Sequence, residues 1–159
     1  MGAALELLRK NKRTYRVAFS DLAAVSGVAI ELIGVVNKHV TLRHIQISKP
    51  SAALTPLTVE KLSAVSTGGT STTPTPVPTR ASFSAAGGVV KLYTVAPTKG
   101  TLIDQIQEVD VGVSDVMNEH YGDPGGGGAF ALEAAVEVIA IVVTATVTLN
   151  GYIEWQEEP

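Results

Sequence analysis

Residues 138–155 read VIAIVVTATVTLNGYIEW. Ile139, Ile141, Val143, Ala145, Val147 and Leu149 fall on one side of a period-2 repeat. Ala140, Val142, Thr144, Thr146 and Thr148 fall on the other. β-Branched residues at this period predict a strand, because successive side chains of an extended backbone point to opposite faces. The run Val138–Leu149 carries no charge, but it is too short to span a bilayer and threonines interrupt it. Asn150-Gly151 comes next, then Tyr152-Ile153-Glu154-Trp155. Asn-Gly between two such runs predicts a type I′ hairpin; one long strand with a bulge at Gly151 is the competing reading. Trp155, the single tryptophan, is expected as a core or interface anchor.

The same β character extends back through the chain. Tyr15, Val17 and Phe19 alternate with Arg16, Ala18 and Ser20, and Ala29–Val36 is mostly apolar. His39–Ser48 (HVTLRHIQIS) alternates in two phases, Val40 and Leu42 first, then Ile45 and Ile47. A phase change of one residue predicts a β-bulge near Arg43–His44. Leu57–Val65 and Val89–Val95 are further strands, while Val116–Tyr121 is a weaker signal. In Leu102–Val111 the residues Leu102, Ile103, Ile106 and Val109 fit a helical stripe better than period 2, so a short helix or an irregular edge is expected there. Ser66–Arg80 is a Thr/Pro/Gly tract in which Pro74, Pro76 and Pro78 alternate. Prolines so spaced cannot donate within a central strand, which predicts an ordered, extended or polyproline excursion over the surface or over a neighbouring subunit. Asp123-Pro124 and Gly125–Gly128 read as a loop. Many short strands with Gly/Pro turns predict an all-β protein, an antiparallel β-sandwich or barrel.

With 159 residues the chain fits one domain, here residues 15–159, behind an arm of residues 1–14. Cysteine is absent, which excludes disulfides, thiolate metal sites and a Cys nucleophile. Charged residues make up only 17%, against a usual share of about 25%, so part of the surface is expected to be hidden against other subunits. The net charge of −3 and 5% aromatics give no nucleic-acid signal. Five of the twelve basic residues, Arg9, Lys10, Lys12, Arg13 and Arg16, crowd the N-terminus behind a short helix-forming stretch, Ala3–Leu8. They predict either a solvated, frayed arm or one that docks on an acidic neighbour, with contact then carried by Arg9, Lys10, Lys12 and Arg13. No targeting segment or membrane span is read, so no membrane partner is expected.

Motifs for chemistry are missing. His39 and His44 are five apart and in a regular strand face opposite sides; with His120 they form no metal-ligand spacing. Asp104, Glu108, Asp110 and Asp115 read as a solvated face. No nucleophile elbow, Walker run or dinucleotide fingerprint occurs, and nothing selects a pair of carboxylates for glycoside hydrolysis. The expectation is therefore no enzyme activity, no metal and no cofactor.

Taken in order, IELIG (30–34), VTLRHIQIS (40–48), GGTSTTPTPVP (68–78), VVKLYTVAPTKGTL (89–102) and GYIEWQEE (151–158) resemble small β-sandwich structural proteins of tailed-phage virions that decorate or cement a capsid. The resemblance covers residues 25–158. The polar stretch Asp104–Tyr121 and the basic arm depart from it. It implies a jelly-roll-like fold, homo-oligomers that are often trimers, and no catalysis. It also implies contact with the major capsid protein and a place on the capsid exterior after synthesis in the host cytoplasm. On that reading Thr70, Thr73, Pro74, Pro76, Pro78 and Trp155 touch neighbouring copies. The alternative is a receptor- or glycan-binding module of a tail or fibre, which would need an exposed aromatic platform or a polar pocket.

Overall fold

The computed structural model describes residues 12–49, 55–112, 115–121, 131–132 and 137–158. Among them all regular structure is β. Two antiparallel sheets pack face to face. One contains β1 (Arg13–Ala24), β3 (His39–Ser48), β6 (Val77–Pro78), β9 (Val116–His120), β10 (Ala131–Leu132) and β12 (Val147–Glu158). The other contains β2 (Gly27–Ile33), β4 (Thr55–Leu62), β5 (Thr70–Thr72), β7 (Val89–Val95), β8 (Leu102–Val111) and β11 (Val138–Val143).

The first sheet runs β10-β3-β12-β1-β6, with β9 also on β3; the second runs β5-β7-β2-β11-β4-β8. Leaving aside β5 to β7 and β10, the chain changes sheet at every step except from β4 to β8, which pair within one sheet, and it pairs its first strand with its last in the middle of the other. That winding is a jelly roll. The inner faces supply Tyr15, Val17, Val40, Leu42, Ile45, Ile47, Ile153 and Trp155 from one sheet, and Ile30, Leu32, Leu57, Val59, Val90, Ile139 and Ile141 from the other, all buried. Fully burying a side chain of this kind contributes roughly 1.5–3 kcal/mol. A smaller apolar cluster, Val28, Leu62, Tyr93, Val138 and Ala140, forms a second core.

Several elements differ from expectation, each for a physical reason. The run from Val138 to Leu149 is two strands in opposite sheets, parted at Thr144–Thr146. Ile139, Ile141, Val143, Val147 and Leu149 all reach the core, but from its two sides, and Ala145 is exposed. Asn150-Gly151 makes no hairpin: both residues lie inside β12, which pairs with β1 and β3 on either flank. A Cβ on Gly151, at φ +152°, would stand 1.9 Å from the Gln46 carbonyl oxygen, so glycine is there for close strand approach. The bulge belongs to the neighbouring strand: Ser20 and Asp21 of β1 lie opposite Asn150. Asp21 sits at φ 52°, and its N–H donates to Asn150 Oδ1 at 2.6 Å.

Leu102–Val111 is a strand, not a helix. Ile103 and Ile106 are each skipped in the register with β4. Every such bulge moves the alternation by one residue, so apolar side chains at 103, 106 and 109 imitate a helical spacing. The bulge expected near Arg43–His44 is present at Arg43: Glu154 pairs with His44 and Trp155 with Leu42. It also corrects the placing of the histidines. His39 pairs with Glu158 and His44 with Glu154, four apart on one strand, so both histidines share the outer face.

Candidate functional site

The outer face of the first sheet carries one transverse row. Arg16 on β1 is the register partner of Glu154 on β12, Glu154 of His44 on β3, and His44 of His120 on β9. Both Nε and Nη2 of Arg16 donate to Glu154 Oε2, the shorter at 2.8 Å. The Arg16 guanidinium also lies 4.1 Å from the ring centre of Tyr152, a cation–π contact. Tyr152 meets His44 edge-on at 5.1 Å, and His44 stacks on His120 at 3.8 Å and 21°. Nε2 of His44 lies 2.6 Å from Asn118 Oδ1, and its Nδ1 lies 3.0 Å from the Tyr152 hydroxyl. An amide oxygen only accepts, so Nε2 carries the hydrogen and Nδ1 accepts from Tyr152. Both nitrogens of His44 are thus occupied and its ring is locked in place.

Arg43 completes the site. As the inserted residue it escapes the alternation that sends Leu42 and Ile45 into the core. Its carbonyl accepts from the Tyr121 N–H at 2.8 Å, just where β9 ends. Arg43, His44, His120, Tyr121 and Glu154 line a concave pocket of about 270 Å³. The Tyr121 hydroxyl donates to Gln107 Oε1 at 2.7 Å, and burial followed by the nearby Glu119 charge pushes its pKa well above the ordinary value. Among the described residues, no group of three or more His, Asp or Glu side chains is gathered to hold a metal ion.

The residues singled out from the sequence for contact lie elsewhere. Arg9 and Lys10, like the helical stretch Ala3–Leu8 and the glycine loop Gly125–Gly128, fall outside the described residues. Lys12 and Arg13 turn back onto their own chain: Lys12 Nζ is 2.7 Å from Glu158, and Arg13 lies in β1 and donates to Ser84 Oγ. The acidic neighbour that Lys12 engages is the chain's own C-terminal strand. The tract Ser66–Arg80 is extended, and it is spent partly within the chain: Thr70–Thr72 adds to the edge of β7, and Val77–Pro78 to the edge of β1. It therefore spans one open side of the sandwich, with Thr70 and Thr73 exposed and Pro74, Pro76 and Pro78 half-buried. Trp155 is a core residue, fully buried and 6.0 Å from Tyr15 ring to ring, so the expectation that it touches a neighbouring copy is corrected.

Three buried carboxylates are structural. Glu157 accepts from Gly88 N at 2.7 Å, Gly87 N at 3.0 Å and Trp155 Nε1 at 3.1 Å, and pairs with Lys38 at 3.0 Å. Burial pushes its pKa up; the Gly88 and Gly87 N–H groups, the indole and the ammonium outweigh that and hold it below the ordinary carboxylate value. Glu31 accepts from the Tyr93 hydroxyl at 2.8 Å and the Ser66 N–H at 3.1 Å. Glu60 pairs with Lys99 at 2.8 Å. The segments carrying Ser66 and Lys99 meet at Thr67 and Thr98, so the second sheet's outer face is covered by its own loops. At that sheet's end, β8 pairs only with β4 among the described residues, and it exposes Leu102 at 46% and Ile103 at 50%.

Comparison of the chain with protein families, curated proteins and solved structures finds no match. The row and the pocket were missed because their members are spread over four strands. The one local signal was the phase change at Arg43–His44, a bulge of the kind that redirects side chains at functional sites.

Proposed function

We propose that this protein is a non-enzymatic structural subunit that works by surface contact, decorating and stabilising a phage capsid through its own copies and the major capsid protein. The observation that carries the reading is the outer edge of β8. A strand edge that is unpaired among the described residues and bears exposed Leu102 and Ile103 is an aggregation hazard unless something covers it. Asp104, Glu108 and Asp110 on the same strand repel a second β8, so the surface that covers it is a different one, as in a closed ring or trimer. The jelly roll hosts capsid subunits readily, which is a fold-level analogy. Binding that occurs only in the assembled state stabilises that state by mass action.

The test is the mass of the purified protein by light scattering, followed by imaging of particles with and without it. A trimer is expected, and Leu102→Asp with Ile103→Asp should give a folded monomer. Removal of residues 1–11, which leaves β1 whole, should abolish shell binding. A monomeric native protein would overturn the reading. A second reading, a receptor- or glycan-binding module of a tail or fibre, is favoured by the polar, ring-walled pocket at Arg43. A glycan array with the isolated protein tests it.

A further inference from the structure

We infer that the outer edge of β8 is covered by the N-terminal arm, residues 1–11, of a second copy of this chain. The inference rests on the assembly reading and names the surface that meets β8.

The edge itself selects the occupant. Among the described residues its backbone has a partner strand, β4, on one side only, and Leu102 and Ile103 stand exposed at its start. Asp104, Glu108 and Asp110 follow, all exposed. None of the three is in an ion pair among the described residues. Gln105 donates to Glu108 Oε2 at 3.2 Å but brings no charge. Lys61, the register partner of Asp104, is in an ion pair with Glu137 at 3.1 Å. Such an edge is complementary to an apolar segment followed by positive charge.

The arm has that order. Leu5, Leu7 and Leu8 precede Arg9 and Lys10, and Glu6 is its one acid. The next basic residues, Lys12 and Arg13, are engaged within their own chain, by Glu158 and Ser84. Set parallel to β8, the arm lays its leucines on Leu102 and Ile103 and its basic pair beside the carboxylates.

The arm comes from another copy because its own β8 is out of reach. β1 packs over β7, four strands along the second sheet from β8, a distance of about 19 Å. Arg9 is three residues from Lys12, about 11 Å at full extension. Arg9 and Lys10 therefore cannot lie along the β8 of their own chain. An arm of one copy on the edge of the next is a heterologous contact, which forms a ring when the last copy meets the first. Removal of residues 1–11 then abolishes shell binding by dispersing the copies.

The experiment is disulfide trapping between full chains, which hold no native cysteine. Tagged chains carrying Leu8→Cys are mixed with untagged chains carrying Ile103→Cys, left to exchange and oxidised. A mixed dimer on a non-reducing gel is expected, since single variants can join only between copies. Thr70→Cys, on the opposite edge of the same sheet, should trap about ten-fold less. Asp104→Lys with Glu108→Lys should weaken association about ten-fold or more by light scattering, and adding Arg9→Glu with Lys10→Glu should restore it. A chain carrying both Leu8→Cys and Ile103→Cys that closes on itself would overturn the inference. So would trapping at Thr70 equal to that at Ile103, or an unchanged mass after the charge reversals. Any of these results with an oligomeric native protein would leave the assembly reading standing, whereas a native monomer would sink both.

Discussion

The indole Nε1 of Trp155 donates to Oε1 of Glu157, two residues further along the same strand and 3.1 Å away. Both side chains are buried on the inner face of β12. The same carboxylate collects the Gly87 and Gly88 N–H groups, so it ties the segment leading into β7 to the core. A Cβ on Gly88 would stand 3.0 Å from that indole nitrogen, which leaves little room for another residue.

Glu157 makes the fold acid-sensitive. Its folded pKa lies below the ordinary carboxylate value, so its contribution is complete above about pH 4.5 and is lost as pH falls through the folded pKa. Glu157→Ala should cost about 3–5 kcal/mol, because it strands buried donors and the Lys38 charge. Thermal unfolding near neutral pH should show a Tm lower by about 6 °C or more, and a flatter acid limb of stability.

Tyr93 and Tyr121 govern the alkaline side. Burial comes first in raising both, followed by hydrogen bonding and charge from Glu31 for Tyr93, and by the Glu119 charge for Tyr121. A raised folded pKa gives stability that is full below about pH 10, the unfolded value, and is lost as pH rises beyond it. Tyrosinate absorbance should therefore show Tyr93 and Tyr121 ionising only as the chain unfolds. Combining Tyr93→Phe with Tyr121→Phe should reduce the amplitude of that late phase.

Gly151→Ala tests the strand approach that replaced the expected hairpin. The new Cβ would meet the Gln46 carbonyl at 1.9 Å, and backbone is hard to displace. A loss of about 2–4 kcal/mol is expected, read as a Tm drop of roughly 5 °C or more.

Deleting Arg43 removes the inserted residue. Either Val40 and Leu42 or Ile45 and Ile47 must then turn from the core to water. At roughly 1.5–3 kcal/mol per side chain, the pair costs about 3–6 kcal/mol, which reaches the lower end of a domain's stability. Cooperative unfolding should disappear and binding of a hydrophobic dye should rise. Arg43→Gln keeps the inserted residue and should keep cooperative unfolding.

Local alternation was enough to define most strands, the bulge at Arg43, the extended course of the proline tract and the β-sandwich. Each of these follows from period 2, β-branching or missing N–H donors, which act along the chain at short range. The same local reading failed where two local codes gave one pattern. Ile103, Ile106 and Val109 mimic a helix because two bulges add residues to β8, and Asn150-Gly151 mimics a turn although β1 and β3 hold it extended.

The site lay beyond local reading altogether. Arg16, Glu154, His44 and His120 meet only because the jelly-roll winding sets β1, β12, β3 and β9 side by side in one register. Which charges pair, as Lys12 does with Glu158, is likewise decided by strand order. The sequence by itself determined what each segment is, since backbone period and side-chain shape are local properties. Only the tertiary structure decided which segments become neighbours, because cross-strand pairing joins residues more than a hundred positions apart.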